Sequence, residues 1–234
     1  MLICIGFFGT GKQGAQNRRP PPEAAVVYHK GKNVVTSVVV RRVPAKTLDQ
    51  TYTRILDRAD AFFRSVTEAQ PQNLQCGRGC SLCCYGLFEI GSGDVPLIAE
   101  GLAKLHPSRR KMVVRRAQEI VASSQHPSLR ECSPGEKEAF FERTAATPCP
   151  NLNDRGECVM YENRPLVCRT FGLPLRDAAE YIGDICELNF GEASQLEREA
   201  AAWDLQWEDA LGEEDVYTIP EVIMLVARMR GWLQ

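Results

Sequence analysis

The sequence predicts a mainly α fold, a small helical domain arranged around a cysteine-rich, loop-dominated middle. Three observations predict it. Apolar residues recur at steps of three and four in segments before residue 70, after residue 94 and after residue 195, the period of a helix with one buried face. Residues 149–190 are rich in Pro, Asn, Asp and Gly and keep no sustained period, as turns and loops do. Nine of the ten cysteines fall between positions 76 and 186, in and around that irregular part rather than along a helical stripe. At 234 residues and 44% hydrophobic content, the chain can build one core, or one domain with an appendage.

Taken in order, residues 1–46 read as a poorly ordered leader. A proline-rich break, "QNRRPPPEAAVV", is followed by "VVTSVVV", whose β-branched residues suit a short strand. "GFFGTGKQ" approaches a phosphate-binding loop, but Gln13 stands where that loop needs Ser or Thr. "GAQNRRPPP" follows and cannot propagate the helix such a loop requires. The helical domain spans 47–234, with its motif core at 76–190. Leu48, Tyr52, Ile55, Ala59, Phe62 and Val66 form one face of a helix about five turns long. Asp94 is placed to cap a second helix over about 95–105, with Pro96 in its first turn. "SRRKMVVRRAQEIVASSQ" is a third; Arg109, Arg110, Lys111, Arg115 and Arg116 read as its solvated face. "EASQLEREAAAWDLQWEDAL" continues the helical pattern through Leu196, Ala200, Trp203, Trp207 and Ala210. The last helix opens at Thr218, with Glu221 at capping-box spacing and Pro220 between them.

The net charge is −2, with neither a basic excess nor a long one-sign block, which argues against a nucleic-acid or anionic-membrane partner. No apolar run approaches the roughly 18 residues of a membrane span. "MLICIGFF" is too short for a signal-peptide core and lacks a basic start. The expected compartment is therefore cytoplasmic, where clustered thiols bind metal or do redox chemistry rather than form disulfides. Cys4 and Cys132 stand apart and read as spectators.

The remaining eight are Cys76, Cys80, Cys83, Cys84, Cys149, Cys158, Cys168 and Cys186. In "CGRGCSLCC", Cys76, Cys80 and Cys83 fall within eight residues, separated by Gly77 and Gly79. A chain turning at glycine can aim three sulfurs at one centre. Thiolates are ligands for zinc and for iron–sulfur clusters, whereas hard ions prefer oxygen. Cys84 is a poor fourth ligand for the same ion, because neighbouring side chains diverge; it points to a second centre or a bridge. Eight thiols suit two four-thiolate centres or one polynuclear site, and the adjacent pair favours iron–sulfur over zinc. The C-x3-C-x2-C spacing also resembles the cluster motif of radical S-adenosylmethionine enzymes. Leu82 replaces the usual aromatic residue, and the roughly 150 residues after Cys83 read as helices and loops rather than an alternating barrel.

"CGRGCSLCC", "CPNLNDRGECVMYENRPLVCRTFGLPL" and "CELNF" together resemble the YkgJ-type cysteine-cluster family. The chain departs from the family pattern by one extra residue after Cys76. The resemblance implies that the eight cysteines carry metal, and that members act as iron–sulfur oxidoreductases or zinc/iron chelators. Arg164 and Arg169 flank Cys168 and are expected to offset thiolate charge and hydrogen-bond to sulfur; the competing role for Arg164 is an ion pair with Glu162. Tyr161 and Phe171 read as packing. Only three histidines are present, and no Ser-His-Asp or paired-carboxylate pattern lies near the cysteines. The functional reading is a metal-binding protein that uses an iron–sulfur cluster or zinc in electron transfer or redox chemistry, with a redox partner protein. The alternative is an enzyme using the centre, an oxidoreductase or a protein methyltransferase similar to flagellin lysine methylase.

Overall fold

In a computed structural model, residues 49–124, 129, 131–212 and 215–233 are described. The expected leader at 1–46 with its expected strand, Leu48 of the first helical face, Cys4, His29 and His126 lie outside the described residues. The fold is mainly α. Seven α-helices are described: α1 (Gln50–Ala69), α2 (Asp94–Lys104), α3 (Pro107–Ser123), α4 (Pro134–Arg143), α5 (Val167–Thr170), α6 (Gln195–Ala200) and α7 (Ile219–Met229). Five short strands join them: β1 (Ile90–Gly91), β2 (Leu175–Asp177), β3 (Glu180–Gly183), β4 (Trp203–Asp204) and β5 (Val216–Tyr217). β1 pairs antiparallel with β5; β2 pairs antiparallel with β3 and parallel with β4.

The helix starts follow local chemistry. Asp49 caps α1 by accepting from the Thr51 amide at 3.1 Å. Ser133 with Glu136, Ser194 with Glu197 and Thr218 with Glu221 each close a reciprocal capping box, on α4, α6 and α7 respectively. Each box satisfies two amides that the helix itself leaves unbonded. The box on α7 is the one expected from its sequence. α4 was not expected, although Ser133-Pro134 and Glu136 carry the same signature.

Two apolar cores form. One joins α2, α3 and α7 through Ile98, Leu102, Val113, Ala117, Val222 and Ile223. The other collects Tyr52, Ile55 and Ala59 of α1 with Leu173, Phe190 and Trp203. The expected α1 face is buried at Tyr52, Ile55, Ala59 and Val66, with Phe62 partly buried beside it. Phe62, Trp203 and Trp207 form a cluster of three mutually contacting rings, with centroids 5.9, 5.3 and 4.7 Å apart. Contacts of this kind add roughly 0.5–1.5 kcal/mol each beyond area burial.

Three expectations are corrected. The helical period through residues 192–211 is broken: α6 stops at Ala200, β4 is extended, and Leu205–Leu211 is a 3-10 turn. Leu196 is 77% exposed, so the stripe was not a real face. Pairing of β4 with β2, closed by the Trp203 amide on the Pro174 carbonyl at 2.8 Å, overrides local propensity. Asp94 does not cap α2; it is the first helical residue, after Gly93. Its buried carboxylate accepts from the Tyr52 hydroxyl and from the Leu166 amide, the latter at 3.1 Å. It thereby ties α1, α2 and the approach to α5 together. Finally, the basic face of α3 is not merely solvated. Arg116 donates to the Leu152 carbonyl and pairs with Asp154 at 3.2 Å, and Arg110 stacks on Trp232 at 4.2 Å.

Candidate metal centre

The cysteines lie along the boundary of the two cores. Cys149, Cys158 and Cys168 pack against the first core, and Cys76 packs against the second. Local chemistry presents each segment. Gly79 takes φ +99°, which glycine tolerates and other residues resist, and the Cys80 amide closes a turn on the Gly77 carbonyl at 3.1 Å. Leu82–Cys84 then winds into a 3-10 turn. The Cys149 amide donates to the Cys84 carbonyl at 2.7 Å and so fixes the second segment to the first. Within that segment, Asn153 Oδ1 accepts from the Arg155 and Glu157 amides at 2.8 and 2.9 Å. This Asx turn doubles the chain back, so that Leu152 bridges to Cys158. Pro165 precedes the short helix α5, which carries Cys168. Cys186 follows the β2–β3 hairpin.

The structure brings the three segments together. The thiol of Cys83 neighbours that of Cys84, and the thiol of Cys76 neighbours that of Cys186. Cys80 lies within electrostatic reach of Cys76 and Cys186. Cys83 lies within electrostatic reach of Cys76, Cys149, Cys158, Cys168 and Cys186. From the sequence, Cys84 was expected to reach the downstream cysteines. In the fold Cys83 and Cys84 both line a small apolar recess with Cys149 and Cys168, and the Cys84 carbonyl accepts from the Cys149 amide. Cys132 is half-buried before α4 and enters none of these interactions among the described residues.

Their protonation chemistry is consistent with a cation site. Burial, followed by repulsion from neighbouring thiols, pushes Cys76 and Cys149 up to about 12. Burial likewise raises Cys158, Cys168 and Cys186. Cys83 is raised first by its hydrogen bond with Cys84, then by burial. Bare thiolates packed this way are costly, and a bound cation removes that cost.

Opposing this, N–H groups act on four of the sulfurs. The amides two residues further on, at Asn151, Met160 and Leu188, lower the Cys149, Cys158 and Cys186 thiols against the push of burial, and the Asn151 side chain does the same for Cys149. Cys76 Sγ accepts from Asn189 Nδ2 at 3.2 Å. Hydrogen bonds to sulfur stabilise the thiolate, the form that binds metal, and tune iron–sulfur potentials. The donor set therefore fits a thiophilic metal. Among the described residues, no three His, Cys, Asp or Glu side chains stand in a preformed metal-holding group.

The two arginines differ. Arg169 is buried and turned toward α1: it pairs with Asp60 and donates to the carbonyls of Glu162 and Arg164, at 2.9 and 3.1 Å. Arg164 lies 3.5 Å from Asp60 and stacks on Tyr161 at 4.1 Å, and its charge favours the ionised forms of Cys83 and Cys158. Glu162 pairs with Arg78 rather than Arg164.

Three residues here were not singled out from the sequence. Asn189 is buried, donates to Cys76 Sγ and to the Gly172 carbonyl, and accepts from the Gln75 amide. Asn151 is buried beside Cys149. Gly172 is needed for space: a Cβ there would meet Cys76 Sγ at 2.5 Å. "CELNF" and "CPNL" held the two asparagines in plain view; an amide near a cysteine, in an apolar context, was the available signal.

A helical scaffold that gathers sulfurs from three loop segments, each furnished with N–H donors, defines a cysteine-cluster metal-binding domain. Residues 75–187 match the family model described as "CxxCxxCC: Putative zinc- or iron-chelating domain", and the chain carries a domain of that family. Comparison with curated proteins and with solved structures gave no match.

Proposed function

We propose that the protein chelates an iron–sulfur cluster, or in its place zinc, through Cys76, Cys80, Cys83, Cys84, Cys149, Cys158, Cys168 and Cys186, and serves in electron transfer or redox chemistry. The observation that carries this reading is that sulfurs from three segments lie within electrostatic reach of one another, with Cys76 Sγ accepting from Asn189 Nδ2 at 3.2 Å. Inert buried cysteines need no such donors.

When bound, an iron–sulfur cluster supplies one-electron chemistry, whereas a zinc site supplies structural binding energy on the order of 10–16 kcal/mol. The residues around it have distinct tasks. Asn189 and the amides two residues beyond Cys149, Cys158 and Cys186 ease formation of the thiolate. Arg164 offsets their negative charge. Arg169 locks the Cys168 segment to α1. Leu82, Tyr85 and Leu188 are exposed apolar residues within two positions of Cys83, Cys84 and Cys186, and they support access by a redox partner protein. No helix among the described residues is long and apolar enough to cross a membrane.

Anaerobic purification followed by elemental analysis and visible absorbance tests the reading. Brown protein containing iron and sulfide is expected. Colourless protein with stoichiometric zinc refutes the iron–sulfur assignment, and protein with neither metal refutes chelation. Cys80→Ala and Cys168→Ala are each expected to lose metal. Full metal content in Cys168→Ala would refute the joining of the two cysteine regions in one site.

A further inference from the structure

Beside Cys158 the surface opens into a cleft of about 400 Å³. Its walls come from α2, the start of α3 and the 153–163 loop, with Arg78 from the first cysteine segment. Gly101 gives α2 its close approach to this loop: a Cβ there would meet Asn163 Cβ at 2.8 Å and Met160 Sδ at 3.0 Å. The cleft therefore follows from close backbone packing.

Its charges are unevenly committed. Three cations face it: Arg78, Lys104 and Arg109. Lys104 is held by Glu100 at 2.6 Å. Arg78 pairs with Glu162 at 2.8 Å, but the two side chains are 66% and 79% exposed, so water screens the pair and it exchanges readily. Arg109 makes no hydrogen bond, ion pair or ring contact among the described residues. The facing carboxylates are Glu157 and Glu162. Glu157 accepts from Asn153 Nδ2 at 2.8 Å, which spreads its charge. Tyr161 supplies an aromatic wall, with Arg164 and Arg78 over its ring at 4.1 and 5.0 Å. The volume lies in the range of small-molecule sites, and an uncommitted guanidinium and an aromatic ring lining one cleft suit a planar carboxylate or a phosphate group.

We propose that this cleft binds a small anionic molecule, a carboxylate or a phosphate ester, and holds it against Cys158 at the edge of the cysteine cluster. The cleft and its anion stand without any metal; the consequence that the bound molecule is a substrate or ligand of a loaded centre rests on the chelation reading above.

The test uses the full chain, metal-loaded and unloaded, with inorganic phosphate and succinate as separate probes. Titration calorimetry measures binding to the wild type and to Arg109→Glu. Arg109 is exposed in the first turn of α3, so the substitution leaves the fold intact. Alkylation by iodoacetamide, mapped by mass spectrometry, is followed at Cys158 and at Cys132, which does not line the cleft. At least one probe is expected to bind the wild type, to weaken at least tenfold in Arg109→Glu, and to slow alkylation of unloaded Cys158 severalfold without changing Cys132. No binding of either probe, equal binding by the variant, or unprotected Cys158 each overturns the proposal. Elemental analysis of the same samples keeps the two readings apart. Protected Cys158 in a chain that takes up no metal leaves the cleft standing and removes chelation. Metal-loaded protein without Arg109-dependent anion binding does the reverse.

Discussion

Replacing Asn189 by alanine is the sharpest probe of how the fold holds its sulfurs. Asn189 is 2% exposed. Its amide nitrogen donates to Cys76 Sγ at 3.2 Å and to the Gly172 carbonyl at 2.8 Å, and its oxygen accepts from the Gln75 amide at 2.9 Å. The alanine variant leaves three groups without their partner in a region with little water. An abandoned buried group costs about 1–3 kcal/mol, but the Gln75 amide and the thiol can relax, so the expected loss is about 2–4 kcal/mol. A second consequence is specific to the site. The Asn189 hydrogen bond lowers the Cys76 thiol against the upward push of burial, so its loss makes the thiolate harder to form. Loss of such a partner weakens metal binding by roughly 10–100-fold. Urea denaturation of the unloaded protein reads the first effect, and competition with a chelator reads the second. Unfolding within about 0.5 kcal/mol of the wild type, together with unchanged metal affinity, would refute the assignment of Asn189 as the residue that positions Cys76.

Three other outcomes are expected. Gly172→Ala places a Cβ 2.5 Å from Cys76 Sγ and 3.0 Å from Asn189 Nδ2. It should destabilise the fold by about 1–3 kcal/mol and lower metal content, whereas Gly77→Ala, with no atom within 4 Å of its Cβ, should do neither; both are read by urea denaturation and elemental analysis. Asp94→Ala strands the Leu166 amide and the Tyr52 hydroxyl and should lower stability by about 2–4 kcal/mol, read as a reduced denaturation midpoint. The pH dependence follows from Cys76 and Cys149, raised from the ordinary 9.0 to about 12. The unloaded protein should keep its stability below about pH 9 and lose it as the pH climbs toward 12, because unfolded thiols ionise first. Metal must displace protons from these thiols, so loading should release protons and tighten as pH rises; proton release measured in a weakly buffered titration checks it.

Much of this was legible in the chain itself. Tyr52, Ile55, Ala59 and Val66 announced α1 because a single buried face imposes a 3.6-residue period. Thr218 and Glu221 announced the start of α7 because a capping box is satisfied within four residues. The eight cysteines, clustered on glycine-bearing loops, announced soft-metal chemistry because few other roles need so many thiols. Each of these signals is local, or is a matter of residue type.

What the tertiary structure decided depends on residues far apart in sequence. The run through Leu196, Trp203 and Trp207 had a helical period, yet β4 forms because Trp203 finds Pro174 and Leu175 across the fold. Asp94 had the look of a cap, yet its carboxylate serves Tyr52 and Leu166, 42 and 72 positions away. Arg169 had the look of a charge partner for sulfur, yet it turns to Asp60, 109 positions away. Spacing nominated Cys84 as the link between cysteine regions; the 3-10 turn at Leu82–Cys84 and the Cys149–Cys84 backbone bond bring Cys83 and Cys84 together to a recess shared with Cys149 and Cys168. Residue type records which sulfurs are available; which of them face one another is set by hydrogen bonds between segments, and those exist only once the chain has closed on itself.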